Sequence, residues 1–492
     1  MSENTTRSKV FRGLSSQTLV VTIMGVMEVG VFAVMSRLLA PEDFGYYAVI
    51  MAIVNIFQCL TEAGLGSAFI QRNNAPEGFV TTALGLSALF GAIFSILLIA
   101  LSGPLSMSMG YGRELTESLK WMSITVLLCS VNSVARGIFM KSLDFLKFGW
   151  CQIAAYIISS GVGVAMAATG HGINAIIASA NINAVLMTII LFWVRGTMPR
   201  FKIHRQYTKE ILNYGGWLTG SVIVRQITTE LDKLILTRWL PVAQIGVYNR
   251  PSGFISRIVD RINGIFDTVL FPILSSFKED RSKLQGSFLT ATALVSWFSM
   301  ILMLTFILGD QIIIDIFFGA DWAWLTGIFR VLSLSIIFLA YSRIGDCYFR
   351  SLGLVRAYFH IRLAVCAVTL TCVYVGCRYG ISGVAVGVLI SRIFDSAIKF
   401  IYLAAKLSVR WLDLLKAMVA PTWLTMVVAA ACFGVVKGVE QGEYIGIFIF
   451  IVIGLVLLIF TPKAFGEEYY QNIYTVVMRR LPSRRKEAQE LR

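Results

Sequence analysis

Charged side chains are scarce in this sequence. Asp, Glu, Lys and Arg make up 14% of its 492 residues, against roughly 25% in an ordinary soluble protein, whereas hydrophobic residues make up 57%. Long apolar runs recur along the whole chain, and about 20 apolar residues are enough for a helix that crosses the hydrocarbon core of a bilayer. The composition therefore excludes a soluble globular protein and predicts an all-α polytopic membrane protein.

Residues that hold metals or nucleotides are also sparse. The three histidines, His171, His204 and His360, are scattered, and the eight cysteines form no CxxC pair and lie mostly inside apolar runs, where cysteine behaves as a small apolar residue. The chain has no glycine-rich phosphate loop of the GxxxxGK[ST] type. We therefore expect no metal site, no cofactor and no use of ATP.

Fourteen membrane spans are predicted. In chain order they are 14–39, 44–70, 80–102, 118–140, 148–168, 173–194, 211–237, 244–275, 287–308, 325–349, 357–376, 380–404, 413–436 and 444–461. With the N-terminus in the cytoplasm, Lys and Arg concentrate in the segments on the cytoplasmic side, as the positive-inside rule requires. Both termini are thus predicted to be cytoplasmic, and no nucleic-acid partner is needed to explain the net charge of +15.

The segments between the spans are short. The longest ones predicted on the outer side, 103–117 and 309–324, leave no room for a soluble catalytic domain, so we expect no enzyme. The basic C-terminal tail is expected to lie near anionic lipid.

A short motif occurs twice. RLLAPEDFGYYA (37–48) joins spans 1 and 2, and RWLPVAQIGVY (238–248) joins spans 7 and 8, with Arg, Leu, Gly and Tyr in matching places. GINA (172–175) at span 6 and GISG (380–383) at span 12 form a second match. Unless both matches arose by chance, spans 1–6 and 7–12 are two copies of one six-helix unit in the same orientation, which is a transporter architecture. The predicted parts are an N-lobe at 1–203, a C-lobe at 204–405, two further spans at 406–465 and a cytoplasmic tail at 466–492.

Four of these spans carry a narrow polar stripe when they are read at about 100° per residue. The stripes on spans 2, 4, 7 and 8 are, in that order, Asn55, Gln58 and Glu62; Thr125, Cys129, Asn132 and Arg136; Tyr214, Ser221, Arg225, Thr229 and Asp232; and Arg250, Arg257, Arg261, Gly264 and Thr268. Polar stripes on helices with apolar backs predict a water-filled central cavity.

Arginine is prominent on these stripes. A central arginine costs roughly 2.5–3.5 kcal/mol on insertion scales, and its guanidinium suits bidentate binding of phosphate and carboxylate groups. We therefore predict a cavity for an anionic head group. Its predicted binding residues are Arg136, Arg225, Arg250, Arg257, Arg261, Asn132 and Gln58. Structural pairing is the alternative for two of them, Arg225 with Asp232 and Arg257 with Asp260.

Several other charged residues lie within the spans. Glu28, Glu62 and Asp232 are predicted to carry any ion coupling, and pairing with an arginine is the alternative for Glu28. Toward the cytoplasmic end, Arg343, Asp346 and Arg392 are predicted gate residues, although a ligand site is an equal alternative for Arg343 and Asp346.

Five motifs together resemble a known family. They are SRLLAPEDFGYYA (36–48), EAGLGSAFIQR (62–72), YGGWLTGSVIV (214–224), VLFPILSSFKED (269–280) and FFGADW (317–322). Each is weak alone, but their order and spacing are similar to those of the polysaccharide-transporter flippases. These are the Wzx-type exporters of lipid-linked exopolysaccharide and O-antigen units, and the colanic-acid-exporter branch is the most similar. Multidrug/cation antiporters and lipid II flippases belong to the same superfamily.

The resemblance implies two six-helix lobes plus two helices, and transport of undecaprenyl-pyrophosphate-linked sugar units across the bacterial inner membrane. It implies membrane lipid and polysaccharide-assembly proteins such as a polymerase as partners. The alternatives are a multidrug/cation antiporter of the same fold, which should need a mainly acidic cavity, and a lipid II-type flippase. Two further classes are disfavoured. A membrane polymerase or ligase would need a long outer loop, whereas the predicted outer segments are short, and a passive scaffold would have no use for arginines inside its spans.

Overall fold

The computed structural model of the chain describes residues 3–62, 76–141, 144–195, 201–276 and 281–419. Side chains are described over the same ranges apart from 3–19, 209–222, 261–276 and a few single positions. The described backbone is almost entirely helical and contains no β-strand. The predicted all-α fold is therefore confirmed.

With the exception of α10 (Asp310–Phe317), which lies in the predicted outer segment 309–324, the helices follow predicted spans 1–12. They are α1 (Glu3–Leu38), α2 (Pro41–Glu62), α3 (Glu77–Met109), α4 (Gly112–Lys141), α5 (Phe145–Ala168), α6 (Ile173–Arg195), α7 (Arg205–Leu236), α8 (Val242–Ser276), α9 (Arg281–Leu308), α10 (Asp310–Phe317), α11 (Thr326–Leu334), α12 (Ile336–Ser351), α13 (Val355–Cys377) and α14 (Gly380–Leu407). A 3₁₀ turn covers Ala320–Leu325. Residues 411–419 are helical at the start of predicted span 13, whereas the rest of that span, span 14 and the tail lie outside the described residues.

Eight helical segments of the described chain are long and apolar enough to cross a membrane. They are Pro41–Thr61, Gly78–Met109, Gly112–Phe139, Leu146–Ala168, Ile173–Val194, Arg281–Leu308, Thr326–Ser351 and Arg356–Cys377. Helices α1, α7, α8 and α14 have the length of a span but also carry many of the charged residues singled out from the sequence. The full count of fourteen spans stays a prediction.

Predicted span 10 is two helices. The break between α11 and α12 falls at Ser335, whose hydroxyl bonds back to the carbonyl oxygen of Leu332 at 2.5 Å. Serine side chains compete for backbone groups in this way and often bend helices. The apolar run gave no sign of the break, because it is continuous across Ser335.

The described chain forms two compact units, and neither is continuous in sequence. Unit 1 contains residues 1–251, 316–322 and 355–388, and unit 2 contains the remainder. In unit 1, α3 packs on α4, α5 on α6, α2 on α7, and α7 on α13. In unit 2, α9 packs on α11 and α12. The lobe boundaries at residues 203 and 405 stay a prediction.

The repeated motif forms two helix connections that touch each other inside unit 1. A Cβ atom on Gly45 would lie 2.0 Å from the carbonyl oxygen of Val242, and one on Gly246 would lie 2.0 Å from that of Pro41. In the repeat, Gly45 corresponds to Gly246 and Pro41 to Val242, so the contact is reciprocal. Only glycine leaves room for so close a backbone approach. The paired turns therefore meet about a local two-fold axis.

The second sequence match also falls at equivalent places. Gly172 connects α5 to α6 with φ of 52°, and Gly380 connects α13 to α14 with φ of 71°. Both connections need the left-handed backbone region that glycine enters without strain. The two matches thus mark the same pair of connections in each copy of the repeat.

Candidate substrate and ion sites

The polar stripe of α4 faces α6 in part. The Thr125 hydroxyl donates to Asn181 Oδ1 at 2.8 Å, and Asn132 Nδ2 donates to the carbonyl oxygen of Ala184 at 3.3 Å. The other amide atom of Asn132, Oδ1, is buried and receives no hydrogen bond within the described part of the chain. Arg136, one turn further along the stripe, is exposed. The stripe therefore serves helix packing at one end and offers a cationic side chain at the other.

The stripe of α2 leads to a buried acid on α7. Asn55 Nδ2 donates to Glu230 Oε1 at 3.0 Å, and Gln226 Nε2 donates to the same oxygen at 3.1 Å. Lys233 Nζ pairs with Glu230 Oε2 at 2.6 Å, and the Glu230 side chain is only 5% exposed. These bonds join α2 to α7 and neutralise a carboxylate in an apolar setting.

Three other predicted residues of unit 1 are half-buried: Gln58, Glu28 and Arg225. Asp232 Oδ2 accepts a hydrogen bond from the Tyr248 hydroxyl at 3.0 Å, which joins the end of α7 to the start of α8. Glu62, the third predicted coupling acid, ends α2, and its side chain lies outside the described residues. The coupling roles stay predictions.

Arg250 lies between two aromatic rings. Its guanidinium carbon is 3.9 Å from the ring centre of Phe32 and 3.4 Å from that of Phe44. One terminal nitrogen donates to the Ser36 hydroxyl at 2.7 Å and to the carbonyl oxygen of Phe32 at 3.3 Å. Arg250 is 9% exposed. These contacts tie α8 to α1 and α2, which fits a structural role for the residue.

The polar stripe of α8 contains two further arginines, Arg257 and Arg261, and the structure describes the side chain of only the first. Arg257 is exposed, and the side chain of Arg261 lies outside the described residues. Asp260 pairs with Arg343 on α12, with Oδ1 2.8 Å from the guanidinium nitrogen. Asp260, which the sequence offered as a pairing partner for Arg257, is therefore engaged by Arg343 of α12.

The three predicted gate residues belong to separate contacts in unit 2. Arg343 pairs with Asp260, and Asp346 pairs with Lys399. Arg392 donates to the hydroxyls of Ser335 and Ser256. Arg343 and Asp346, grouped as a pair in the sequence, therefore belong to two different ion pairs.

Lys399 is the centre of a buried charge cluster. Its ammonium nitrogen is 2.7 Å from Asp346 Oδ1 and 2.7 Å from Asp395 Oδ1, and it donates to the Ser342 hydroxyl at 2.7 Å. That hydroxyl donates in turn to Asp395 Oδ2 at 2.5 Å. Lys399 is fully buried. The cluster joins α12 to α14.

Sequence reasoning missed several of these residues. Lys399 lies near the predicted end of span 12, where lysine usually reaches water, and the sequence pattern assigned no role to Glu230 or Asp395. Arg362 on α13 is buried, and its Nε donates to the Tyr358 hydroxyl at 3.0 Å. Spacing of four along one helix, as in Asp395 and Lys399, was the signal that could have indicated a pair.

The described residues contain no group of three or more His, Cys, Asp or Glu side chains that could hold a metal ion.

Comparison with known proteins identifies the family. The sequence model of a family described as "Polysaccharide biosynthesis protein" matches residues 34–326, which is more than half of the chain. The chain belongs to this family. The resemblance predicted from the five motifs is thereby confirmed.

Curated relatives agree in the process they serve. The teichuronic acid biosynthesis protein TuaB of Bacillus subtilis is 22% identical over 65% of this chain, the succinoglycan biosynthesis transport protein ExoT of Rhizobium meliloti 22% over 61%, and the lipopolysaccharide biosynthesis protein WzxC of Escherichia coli 22% over 62%. The aligned parts span 66%, 61% and 62% of these relatives' own lengths.

Solved structures share the fold. A lipid II flippase, MurJ, in an inward closed conformation aligns over 94% of this chain and 99% of its own, with a TM-score of 0.68 and 16% identity. An inward-facing multidrug transporter of the MATE family aligns over 80% and 98%, with a TM-score of 0.63 and 15% identity. At these identities the likeness establishes the fold alone. With the apolar helices, the family makes this chain a multi-pass bacterial membrane protein.

Proposed function

We propose that the chain is a flippase that moves undecaprenyl-pyrophosphate-linked oligosaccharide units across the bacterial inner membrane. The units would serve the assembly of exopolysaccharide, capsule or O-antigen. The main support is the family match together with relatives that are named for polysaccharide biosynthesis and transport. A non-enzymatic role fits this set, because flipping a lipid-linked unit forms and breaks no covalent bond.

The cationic character of the polar stripes supports an anionic cargo for this flippase. Arg136 and Arg257 are exposed on helices of a largely apolar chain, and Arg225 is half-buried. Guanidinium groups at such positions suit a pyrophosphate, whose oxygens accept paired hydrogen bonds. Asn132, with a buried and unsatisfied amide oxygen, adds a polar group beside Arg136.

Transport would follow alternating access. The two predicted lobes would rock about the cavity and expose it to one side of the membrane at a time. The reciprocal contact of the turns at Gly45 and Gly246 supports a pseudo-symmetric arrangement of the repeat. Both termini would be cytoplasmic, and partners would include membrane lipid and the polymerase that receives the flipped units.

Two alternatives share the fold, namely a multidrug/cation antiporter and a lipid II-type flippase. A cation antiporter should present mainly acidic groups to its cavity, which the exposed arginines disfavour. A lipid II-type flippase differs only in the sugars and peptide of its cargo, so the assay must present both cargoes.

A vesicle assay tests the proposal. Purified protein in sealed liposomes that contain either a pyrophosphate-linked oligosaccharide or lipid II should move the oligosaccharide lipid, and not lipid II, between leaflets, as scored by an enzyme that modifies only the outer leaflet. A matched variant, Arg410→Ala, removes an exposed arginine that pairs with Asp413 outside the candidate sites and should behave like the unmodified protein. Movement of an organic cation with no movement of lipid-linked saccharide would refute the proposal.

A further inference from the structure

Two helix connections of unit 1 place exposed aromatic rings at one end of the packed pair α7 and α13. Trp239 lies in the connection between α7 and α8, and its ring centre is 5.7 Å from that of Tyr374, in the last turn of α13, with the ring planes at 83°. These two residues are 48% and 43% exposed, and Tyr379, in the connection between α13 and α14, is 77% exposed. Three large rings are therefore presented to the surroundings of the protein.

Arginine accompanies the rings. The guanidinium carbon of Arg378 is 5.6 Å from the ring centre of Tyr374, which is within the range of a cation–π contact. Arg238 precedes Trp239, and both arginines are exposed. Neither guanidinium forms an ion pair or a hydrogen bond with the described part of the chain. Their N–H donors are therefore available to a ligand. We call Arg238, Trp239, Tyr374, Arg378 and Tyr379 the Trp239 cluster.

The backbone of both connections is held in defined turns. The amide of Trp239 donates to the carbonyl oxygen of Leu236 at 3.0 Å, and the amide of Tyr379 donates to that of Gly376 at 2.9 Å. Gly380 follows with φ of 71°, a value that glycine adopts without strain. The side chains of the cluster are thus mounted on fixed turns.

The first copy of the repeat has no tryptophan, tyrosine or arginine at four of the five equivalent places. The residues there are Leu38, Met166, Gly170 and His171, which the two sequence matches align with Trp239, Tyr374, Arg378 and Tyr379. The fold shared by the two copies therefore does not require the cluster. A general belt of aromatic residues at the membrane surface would supply rings at both equivalent ends, so the difference between the copies indicates a specific site.

The fifth place also differs in its contacts. Arg238 aligns with Arg37, whose guanidinium donates to the carbonyl oxygen of Ile316. The first arginine thus bonds to the protein itself, whereas the second makes no such bond within the described chain.

The Trp239 cluster lies where a membrane span ends. The segment Arg356–Cys377 is long and apolar enough to cross a membrane, and Arg378 and Tyr379 follow it directly. Lipid head groups lie at this depth, and the rings of tryptophan and tyrosine suit the boundary between hydrocarbon and water. The positive-inside bias predicts the outer side for both connections.

We propose that the Trp239 cluster binds the phosphate head group of an anionic phospholipid. Guanidinium groups bind phosphate oxygens through paired hydrogen bonds, while the three rings pack against the glycerol and the first carbons of the acyl chains. Two arginines without a carboxylate partner in the described chain favour a lipid of net negative charge over a zwitterionic one. The site does not depend on the proposed function, because a lipid held here belongs to the membrane and not to the cargo.

Photo-cross-linking at Tyr379 tests the site locally. A photoreactive phenylalanine analogue replaces Tyr379, and the protein is placed in liposomes of equal parts phosphatidylglycerol and phosphatidylcholine. After illumination, mass spectrometry gives the ratio of the two lipids attached at this position. We expect phosphatidylglycerol to dominate, by roughly fivefold for each arginine. Arg238→Gln and Arg378→Gln should each lower the ratio by that factor.

The first copy of the repeat supplies the matched control. The same analogue in place of His171, which is exposed and aligns with Tyr379, should attach the two lipids about equally. Arg113→Gln removes an exposed arginine at the start of α4, on the same predicted side, and should leave the ratio at position 379 unchanged. Equal attachment of the two lipids at position 379, or an unchanged ratio in Arg378→Gln, overturns the proposal.

A second set of liposomes distinguishes the two sources of a lipid phosphate. These liposomes contain, in addition, a polyprenyl pyrophosphate that carries no saccharide. Phosphatidylglycerol should remain the main lipid attached at position 379 when the two anionic lipids are present in equal amounts. Preferential attachment of the polyprenyl pyrophosphate refutes the phospholipid site and places the cluster on the path of the cargo.

Discussion

At the scale of single residues, the structure distinguishes deep arginines that hold helices together from those that remain accessible. Arg250 is stacked between two rings and bonded to α1, whereas Arg136 is exposed on α4. Both were predicted as substrate residues because they lie on polar stripes. The same pattern in sequence thus covers two roles, and each role makes its own prediction.

Replacing Arg250 should destabilise the protein. Arg250→Ala removes a guanidinium held by two aromatic faces and by bonds to Ser36 and Phe32, so we expect a loss of about 2–4 kcal/mol. Arg250→Lys should rescue little, because an ammonium cannot stack flat between two rings. Thermal unfolding in detergent measures both variants. Normal stability of Arg250→Ala with lost transport would instead make Arg250 a binding residue.

Replacing Arg136 should act on transport and leave folding unchanged. Its side chain is exposed, so Arg136→Ala should unfold at the same temperature as the unmodified protein. Loss of one charge-assisted contact to a pyrophosphate should weaken cargo binding about tenfold to a hundredfold. Competition with inorganic pyrophosphate in the liposome assay measures this effect. Arg113→Ala, an exposed arginine in the first turn of the same helix, is the control, and equal transport by both variants would exclude Arg136 from the site.

The candidate residues show what periodicity can and cannot predict. Stripe analysis placed Asn55 and Asn132 on faces that do meet other helices. It could not identify Glu230 as the partner of Asn55, or Lys399 as a buried residue. Contacts between helices depend on tertiary packing, which the pattern of one helix face does not encode.

At the scale of elements, the sequence repeat is clearest in the connections between helices. Gly45 and Gly246 lie at the start of equivalent helices, and each lies against a backbone carbonyl of the other connection. The two copies of the motif pack against each other. By contrast, the break at Ser335 divides predicted span 10, and the hydropathy of that span gave no indication of it.

Adding a side chain at this contact should separate the two turns. In Gly45→Ala or Gly246→Ala the new methyl group would lie 2.0 Å from a carbonyl oxygen, so we expect each change to destabilise by about 1–3 kcal/mol. The two effects should not add, since the first substitution already opens the contact. Thermal unfolding of the single and double variants measures this.

Gly25→Ala is the matched control for these turn variants. It lies inside α1 with nothing within 4 Å of an added Cβ atom, so it should be neutral or slightly stabilising. If Gly45→Ala and Gly25→Ala unfold at the same temperature, the close approach of the turns is absent in solution.

At the scale of the whole molecule, the charge bias of the loops and the contacts between loops agree. Segments predicted on the outer side contact the outer ends of predicted spans: the rings of Tyr46 in span 2 and Tyr111 are 5.6 Å apart, and the guanidinium of Arg37 in span 1 donates to the carbonyl oxygen of Ile316 at 3.1 Å. On the inner side, the backbone amide of His204 likewise donates to Thr82, at the inner end of predicted span 3. The contacts were not predictable from charge, which assigns sides but no neighbours.

Sidedness itself can be tested by thiol labelling in a chain whose eight cysteines have been replaced. Residue 107 lies in a predicted outer segment and is 82% exposed, and residue 202 lies in an exposed segment predicted to face the cytoplasm. In intact cells an impermeant maleimide should therefore label Met107→Cys and spare Lys202→Cys.

Permeabilised cells supply the control for this experiment, because both positions should then react. Lys202 precedes His204, whose contact with Thr82 fixes this loop beside the start of α3, so one result orients both segments. Labelling of Lys202→Cys in intact cells, with Met107→Cys protected, would show that every segment lies on the side opposite to the predicted one. The positive-inside bias would then have assigned the wrong side, while the loop contacts, which do not depend on orientation, would stand.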